Sequence, residues 1–309
     1  MKQRLSIQNL FPRIMFAVVM VPTFMVQGYS QSQPLNTQPF GIGARATALG
    51  GAYISEGWDV SSMYWNPAAL SFIHHRAISA TVLVRESRSL QHFVALPIQI
   101  SQDQIVAIGT VGSFTGQPWM QPYFTYYGTD IGLAQKLATT VSIGALVNVR
   151  YSSLSSTSLW AAAGSLGFFY SPTPAVSYGI VYNGLGWGIN YNMTGSRRYL
   201  SYEKSLQRTL QVGATLRIPG NSLRRPDVSI AMASESFLGQ NEFAYKAGIE
   251  ILVVEFLTAR IGIHREPDGI QTKGGFGIFT KFFQLDYAMS PSGTSGRFHE
   301  VSLAIPWSI

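Results

Sequence analysis

The residue types that carry out hydrolysis, metal binding and phosphate transfer are present in this chain, but not at spacings that let them act together. Serine, histidine and carboxylates all occur, yet no Gly-x-Ser-x-Gly turn is there to present a nucleophile, and no His stands in a catalytic context. His74 and His75 are adjacent, so on a strand they face opposite ways and cannot converge on one ion. Gly41 and Gly43 are not framed by the strand and helix that a phosphate loop needs. With no Cys among 309 residues, disulfides, thiolate metal sites and cysteine nucleophiles are excluded. The sequence therefore assigns no catalytic, cofactor-binding or metal-ligating residue. Its titratable candidates are of another kind: Arg85, Arg150, Arg217, Glu235, Lys246, Glu250, Arg260, His264, Asp286 and Glu300 fall singly at the polar positions of alternating segments. On the inner face of a closed wall, opposite charges on neighbouring strands pair, because unpaired charge in a narrow interior is costly. A polar track for a ligand is the sharper alternative.

The elements that position them are strands. Leu210, Val212, Ala214, Leu216 and Ile218 share one face against Gln211, Gly213, Thr215 and Arg217. Tyr245, Ala247, Ile249, Ile251 and Val253 oppose Lys246, Gly248 and Glu250 in the same way. Val141, Ile143, Ala145, Val147 and Val149 oppose Ser142, Gly144, Asn148 and Arg150, with Leu146 a single exception. About fourteen such segments follow one another, near residues 77–86, 89–100, 105–115, 128–138, 141–153, 157–171, 174–187, 205–218, 227–236, 242–254, 257–265, 272–280, 282–290 and 298–308. Tight links such as 138–140 and 171–174 alternate with longer ones at 116–127, 188–204 and 219–226, which predicts an up-and-down antiparallel barrel with short turns at one end and longer loops at the other.

Alternation alone does not say which face is wet. A soluble sandwich buries its apolar face, whereas an outer-membrane barrel turns it to lipid and keeps polar residues inside. The segments have the ~9–11 residues of a tilted membrane strand. Aromatics such as Tyr151, Tyr182, Trp187, Tyr245 and Trp307 end the apolar faces, as in interfacial girdles. An even strand count closes the sheet and removes its edges. These features predict a transmembrane barrel over residues 77–309, in contact with outer-membrane lipid. An outward Ile249→Arg is then expected to cost more than a lumenal Thr215→Arg.

Composition and the N-terminus agree. Charged residues make up 12 % of the chain, about half the ~25 % usual in soluble domains. The net charge of +7 invites a nucleic-acid reading. However, Lys2, Arg4 and Arg13 lie in the first thirty residues, and without them 19 basic residues face 15 acidic ones. The remainder are scattered, apart from the pairs 197–198 and 224–225, so nucleic acid is rejected as a partner. A basic start, an apolar run over 14–26 and small residues at Gly28 and Ser30 form a secretory signal over residues 1–30, too short for a spanning helix.

One stretch does not alternate. From Gly41 to Leu70 the chain is rich in Gly and Ala, with Arg45 among small residues that can press against a wall. Residues 44–49 suit one or two helical turns ended by Gly50 and Gly51, and Arg45 is placed to meet an inward acid. Pro67 pushes Asn66 towards an extended conformation, whose side chain can then lock a turn. On the residues alone this is a capped turn or a closely packed insert.

Gly43-Ala-Arg-Ala-Thr-Ala-Leu-Gly-Gly-Ala-Tyr53 and Asp59-Val-Ser-Ser-Met-Tyr-Trp-Asn-Pro-Ala-Ala-Leu70 resemble the N-terminal signature of the PorV/PorQ family, within the FadL-like group of outer-membrane barrels. The residues carrying the resemblance are Gly43, Arg45, Gly50, Gly51, Asp59, Trp65, Asn66, Pro67 and Ala68; Tyr182-Asn-Gly-Leu-Gly186, Leu285-Asp-Tyr-Ala-Met-Ser-Pro291 and Phe298-His-Glu-Val-Ser-Leu303 are similar to later parts of that family. The resemblance implies a fourteen-stranded barrel with a lumenal plug, residues 31–76 forming a short N-terminal hatch inside the lumen, in the outer membrane of a Gram-negative bacterium. It also implies a non-enzymatic role in type IX secretion, with secretion components or cargo proteins as partners. The alternative is FadL-like transport of hydrophobic small molecules such as fatty acids, with lipid or detergent in the lumen.

Overall fold

Period-two alternation over so many segments leaves each strand with one face for lipid and one for the interior, and the chain satisfies both by closing on itself. The computed structural model describes residues 41–57, 59–73, 77–86, 89–115, 124–154, 157–194, 198–204, 206–219, 226–266, 269–290 and 297–306. The secretory signal over 1–30, residues 31–40 of the hatch, the His74-His75 pair and Trp307 lie outside them.

The strands are β1 (Ala77–Arg85), β2 (Ser89–Gln99), β3 (Gln104–Thr115), β4 (Phe124–Ala138), β5 (Val141–Leu154), β6 (Thr157–Thr173), β7 (Val176–Thr194), β8 (Arg198–Lys204), β9 (Thr209–Pro219), β10 (Pro226–Phe237), β11 (Glu242–Val254), β12 (Leu257–Glu266), β13 (Gly269–Phe279), β14 (Gln284–Ser290) and β15 (Phe298–Pro306). Chain neighbours pair antiparallel except β8 and β9, and β1 pairs with β15, so the sheet closes. β7 is long enough to serve two partners. Its first part, Val176 to Asn183, pairs with β9, and its last part, Gly188 to Thr194, pairs with β8. The fifteen segments thus fill fourteen places in the wall.

Two expectations about the connections are corrected. Residues 188–204, read as a loop, form the end of β7 and all of β8. This hairpin runs past the top of the β9–β10 pair, where a strand no longer needs an apolar face, so alternation gave no sign of it. The longer links do not gather at one end either. The 219–226 link joins β9 to β10 at the end where β1 begins and β15 finishes, whereas the 115–124 link joins β3 to β4 at the opposite end. Tyr182 lies mid-strand in β7 instead of at the edge of the apolar band.

Burial runs inside out relative to a soluble protein. Glu250 retains 7 % of its surface while Ile249 and Ile251 beside it expose 38 % and 48 %. Asp130, Arg150, Arg260, Asp286 and Glu300 are buried, and Ile131, Val147, Ile261 and Val301 are exposed on the other face. Only a solvent of hydrocarbon makes that arrangement favourable. Aromatic pairs mark the outer surface near both ends: Tyr151 with Trp160 (centroids 4.9 Å apart) towards one, and Tyr170 with Tyr178 (6.2 Å) towards the other.

The hatch fills the lumen as three short turns: α1 (Ala44–Ala48), α2 (Ser62–Trp65) and a 3-10 helix (Pro67–Phe72). α1 packs on β12 to β15, and the 3-10 helix packs across the lumen on β3 to β6. The apolar core therefore lies between plug and wall. Ile42, Val60, Met63, Tyr64 and Leu70 meet inward Phe93, Ala95, Ile105, Ala107, Ala134 and Leu146. Leu146, the exception in its strand, points inward because the plug is apolar there.

Candidate functional site

The plug docks through missing side chains. On one wall Gly248, Gly262 and Gly275 occupy inward positions of β11, β12 and β13, under the end of α1. A Cβ at Gly262 would stand 2.2 Å from the Gly50 nitrogen, and one at Gly248 would stand 2.5 Å from the Leu49 carbonyl oxygen. Across the lumen, Gly144 and Gly167 leave room for Asn66, Pro67 and Ala68, and Gly179 leaves room for the Ile54 carbonyl. Gly50 must be glycine on two counts: its φ is +70°, and its missing Cβ would lie 2.5 Å from the Ile263 carbonyl oxygen.

Plug backbone groups are satisfied by wall hydroxyls, as buried amides require. Ala44 N–H donates to Ser302 Oγ (2.8 Å), Ser142 Oγ donates to the Ala68 carbonyl (2.7 Å), and Ser177 Oγ donates to that of Ser55 (2.6 Å). Asn66, extended at φ −154°, accepts from Ala68 N–H (3.1 Å) and donates to the carbonyls of Ile54 (2.9 Å) and Phe168 (3.0 Å), tying two plug segments to β6. Pro67 starts the 3-10 helix behind it. Trp65 Nε1–H donates to the Ile42 carbonyl (2.9 Å), and its ring meets Tyr53 edge-on at 6.4 Å with Lys246 Nζ 5.8 Å from a ring centroid. Asp59 accepts from Ser61 N–H (2.9 Å), from the Ser61 hydroxyl and from Tyr53 Oη–H (3.1 Å), shaping the turn into α2. Burial raises the Asp59 carboxyl above its ordinary value against the pull of those Ser61 hydrogen bonds, and burial likewise raises the Tyr53 and Tyr64 phenols. Gly43 caps α1 at φ +90° beside Ser61, and Gly51, at φ +82°, lies against Trp65.

Charges cross from wall to plug in an alternating ladder. Asp286 pairs with Arg260 (2.6 Å) and Arg260 with Glu250 (2.5 Å). Glu250 accepts a two-pronged contact from Arg45, Nε and Nη2 both at 2.9 Å. Arg45 approaches Glu56 (3.8 Å), and Glu56 pairs with Arg217 (3.2 Å) on β9. Separately, Glu235 accepts from Lys246 Nζ (2.7 Å) and Gln211 Nε2 (2.8 Å). On the apolar side Arg150 and the Tyr64 hydroxyl both donate to Asp130, and Gly128 leaves the space Arg150 occupies. Of the sequence candidates, Arg217, Glu250, Arg260 and Asp286 thus meet around Arg45, with Glu235 and Lys246 forming a pair of their own. Arg85 and His264 line the interior away from the ladder, and buried Glu300 lies beside Gly41 and α1.

Sequence reasoning missed Glu56 and Asp130. Asp130 alternates with outward Ile131 and could have been found that way, whereas Glu56 sits in an irregular turn with no period. The expectation for Thr215→Arg also needs correcting. Thr215 is 1 % exposed and its hydroxyl is 2.8 Å from that of Ser55, so an arginine there collides with the plug instead of entering an open lumen.

Two of the cavities among the described residues lie in the interior. One of about 10 Å³ adjoins the start of α1, between Asp59, Asp286 and Ser302. The other, of about 30 Å³, lies between β5, β6, β7, β9 and β10. A water needs ~10–15 Å³ of such space, so these hold one and about two or three waters.

This architecture has close counterparts among solved structures. The Pseudomonas putida toluene transporter TodX superposes with a TM-score of 0.59 at 15 % identity, over 89 % of this chain and 98 % of that one. The Ralstonia pickettii toluene transporter TbuX gives 0.57 at 14 %, over 86 % and 97 %. A Pseudomonas aeruginosa FadL homologue gives 0.58 at 14 %, over 90 % and 99 %. The fold is that of the FadL-like outer-membrane barrels. No protein-family model and no curated protein matches the chain, so the PorV/PorQ resemblance rests on its own quoted residues.

Proposed function

We propose that this protein is an outer-membrane channel for hydrophobic small molecules, exported by its N-terminal signal and embedded through its aliphatic outer band. The observation that carries the reading is the architecture itself: an inside-out barrel of fourteen strands with an internal plug, aligned over 86–90 % of its length with two toluene transporters and a FadL homologue. The competing role, assistance to type IX secretion, rests on the N-terminal signature. Those residues are accounted for by docking: Gly43 and Asp59 shape turns of the plug, Gly50 meets the wall, and Arg45 and Asn66 bridge plug and wall. A plugged barrel of either function needs them, so they do not favour secretion over transport.

The test is uptake of radiolabelled toluene by Gram-negative cells whose intact lipopolysaccharide leaflet slows apolar solutes, with and without the protein. Faster uptake with the protein present is expected. Unchanged uptake, with folded protein verified in the outer membrane, overturns the channel reading. Loss of surface display of exported cargo on deleting the gene would restore the secretion reading.

A further inference from the structure

The larger cavity lies immediately beyond the plug, on the side away from the start of β1 and the end of β15. Ile54 of the plug packs against Val181 and Ala233, and the next inward positions of those strands, Asn183 and Glu235, line the cavity. The wall is irregular at this level. The β6–β7 pairing shifts register between Gly164 and Ser165, opposite Gly184 at φ +88°, and β7 changes partner from β9 to β8.

Its polar groups are unusually idle. Asn148 Oδ1, Asn183 Oδ1 and Gln207 Nε2 line the cavity, and none has a hydrogen-bond partner in the protein. Gln211 Oε1, beside Glu235, has none either. Asn148 and Asn183 are each only 4 % exposed, and buried amides without partners are costly in a finished fold. By contrast the charge here is already neutralised, since Lys246 Nζ pairs with one oxygen of Glu235 and Gln211 Nε2 donates to the other. What remains on offer is neutral: amide oxygens that accept and amide N–H groups that donate. Apolar surface adjoins them in Ala163 and Phe237.

We infer that this amide-lined pocket binds the neutral hydroxyl group of an amphipathic substrate, an alcohol or phenol, and holds it just beyond the plug. The inference rests on the channel reading and names the substrate class. A space for two or three water-sized groups admits a hydroxyl and not a whole ligand, so the apolar body lies outward. A carboxylate would face Glu235, and an ammonium would meet a carboxylate already neutralised by Lys246. A pure hydrocarbon would leave the amides unpaired, which is how a site built for a hydroxyl rejects an analogue lacking it.

The probes are 4-fluorophenol, 4-fluorotoluene and 4-fluorobenzoate, titrated by fluorine NMR against the purified full-length protein in lipid nanodiscs. The phenol is expected to bind about tenfold more tightly than the other two. Asn148→Leu and Asn183→Leu should each abolish most of that preference. Ala163→Leu, which fills the pocket from its apolar side without touching an amide, should do the same and serves if an asparagine variant does not fold. Equal binding of phenol and toluene analogues, or a phenol preference that survives all folded variants, overturns the pocket and leaves it to water alone. Uptake of toluene and of phenol by cells separates the two readings. Uptake without a phenol preference removes the pocket and keeps the channel; a phenol preference without uptake keeps the pocket and removes the channel.

Discussion

Arg45→Met removes the one cation among the described plug residues that holds the charged wall, while keeping most of the side-chain volume. The ladder contains three cations (Arg45, Arg217, Arg260) and three carboxylates (Glu56, Glu250, Asp286). The substitution leaves one carboxylate in excess where Arg45 and Glu56 expose 3 % and 1 %. Glu250 loses both 2.9 Å contacts from Arg45 and keeps only Arg260, which it shares with Asp286. Removing one partner of a buried pair costs about 3–5 kcal/mol. Because Arg260 remains, the lower end applies, about 3 kcal/mol, or roughly a hundredfold in an equilibrium. The wall closes through its own backbone ladder, so this loss falls on docking of the plug and not on the barrel.

Protease protection of the plug reads that equilibrium directly. Chymotrypsin can cut at Tyr53, Tyr64 and Trp65, two of which are buried and the third only slightly exposed in the docked plug. Cleavage of folded protein should accelerate about a hundredfold in Arg45→Met, while the heat-dependent gel mobility that reports the intact barrel shifts little. Adding Glu250→Gln removes the excess charge and should recover more than half of the lost protection. Cleavage within threefold of the unmodified protein, or a double variant no better protected than the single one, refutes the electrostatic account of docking.

Gly262→Val should displace α1, since its Cβ would stand 2.2 Å from the Gly50 nitrogen and 2.3 Å from the Leu49 carbonyl carbon. Overpacking of this kind costs about 1–3 kcal/mol or more, read as faster plug cleavage. Gly274→Val, outward on β13 with its nearest neighbour 3.6 Å away, should change cleavage by less than twofold, and equal effects at the two glycines refute the docking surface. Ile249→Arg places a charge on the outer face at the middle of β11, between Ile230 and Ile261. It should cost about 2–4 kcal/mol in refolding into lipid vesicles, and a cost below about 0.5 kcal/mol would mean that this face does not meet hydrocarbon.

The wall was readable because lipid outside and a polar interior impose opposite demands on successive residues. Where both faces are apolar the pattern fades: β3 carries outward Ile108 and inward Ile105, Ala107 and Val111, because the plug buries that inner face. Glu250 and Arg260 sit opposite each other on neighbouring strands, so their pairing follows from alternation and strand order. Arg45 reaches Glu250 across 205 residues, and nothing in local spacing names that partner. The glycines at 144 and 248 were visible as inward positions, but only the placed plug explains why no side chain stands there or at Gly167 and Gly262.

The most distinctive stretch of the chain, Gly43 to Ala68, proves to be occupied with staying in place. Its Arg45 is spent on Glu250, its Asn66 on Ile54 and Phe168, its Trp65 on Ile42, and its Asp59 on Ser61 and Tyr53. A side chain whose polar atoms are satisfied inside the fold has little left with which to recognise a passenger. Partnerless amides that face a cavity lie elsewhere, on wall strands β5 and β7 and on the link before β9, in Asn148, Asn183 and Gln207, which form no motif in the sequence. The signature residues thus hold the plug in its barrel, whereas the proposed hydroxyl pocket would draw on scattered amides that only closure of the wall brings together.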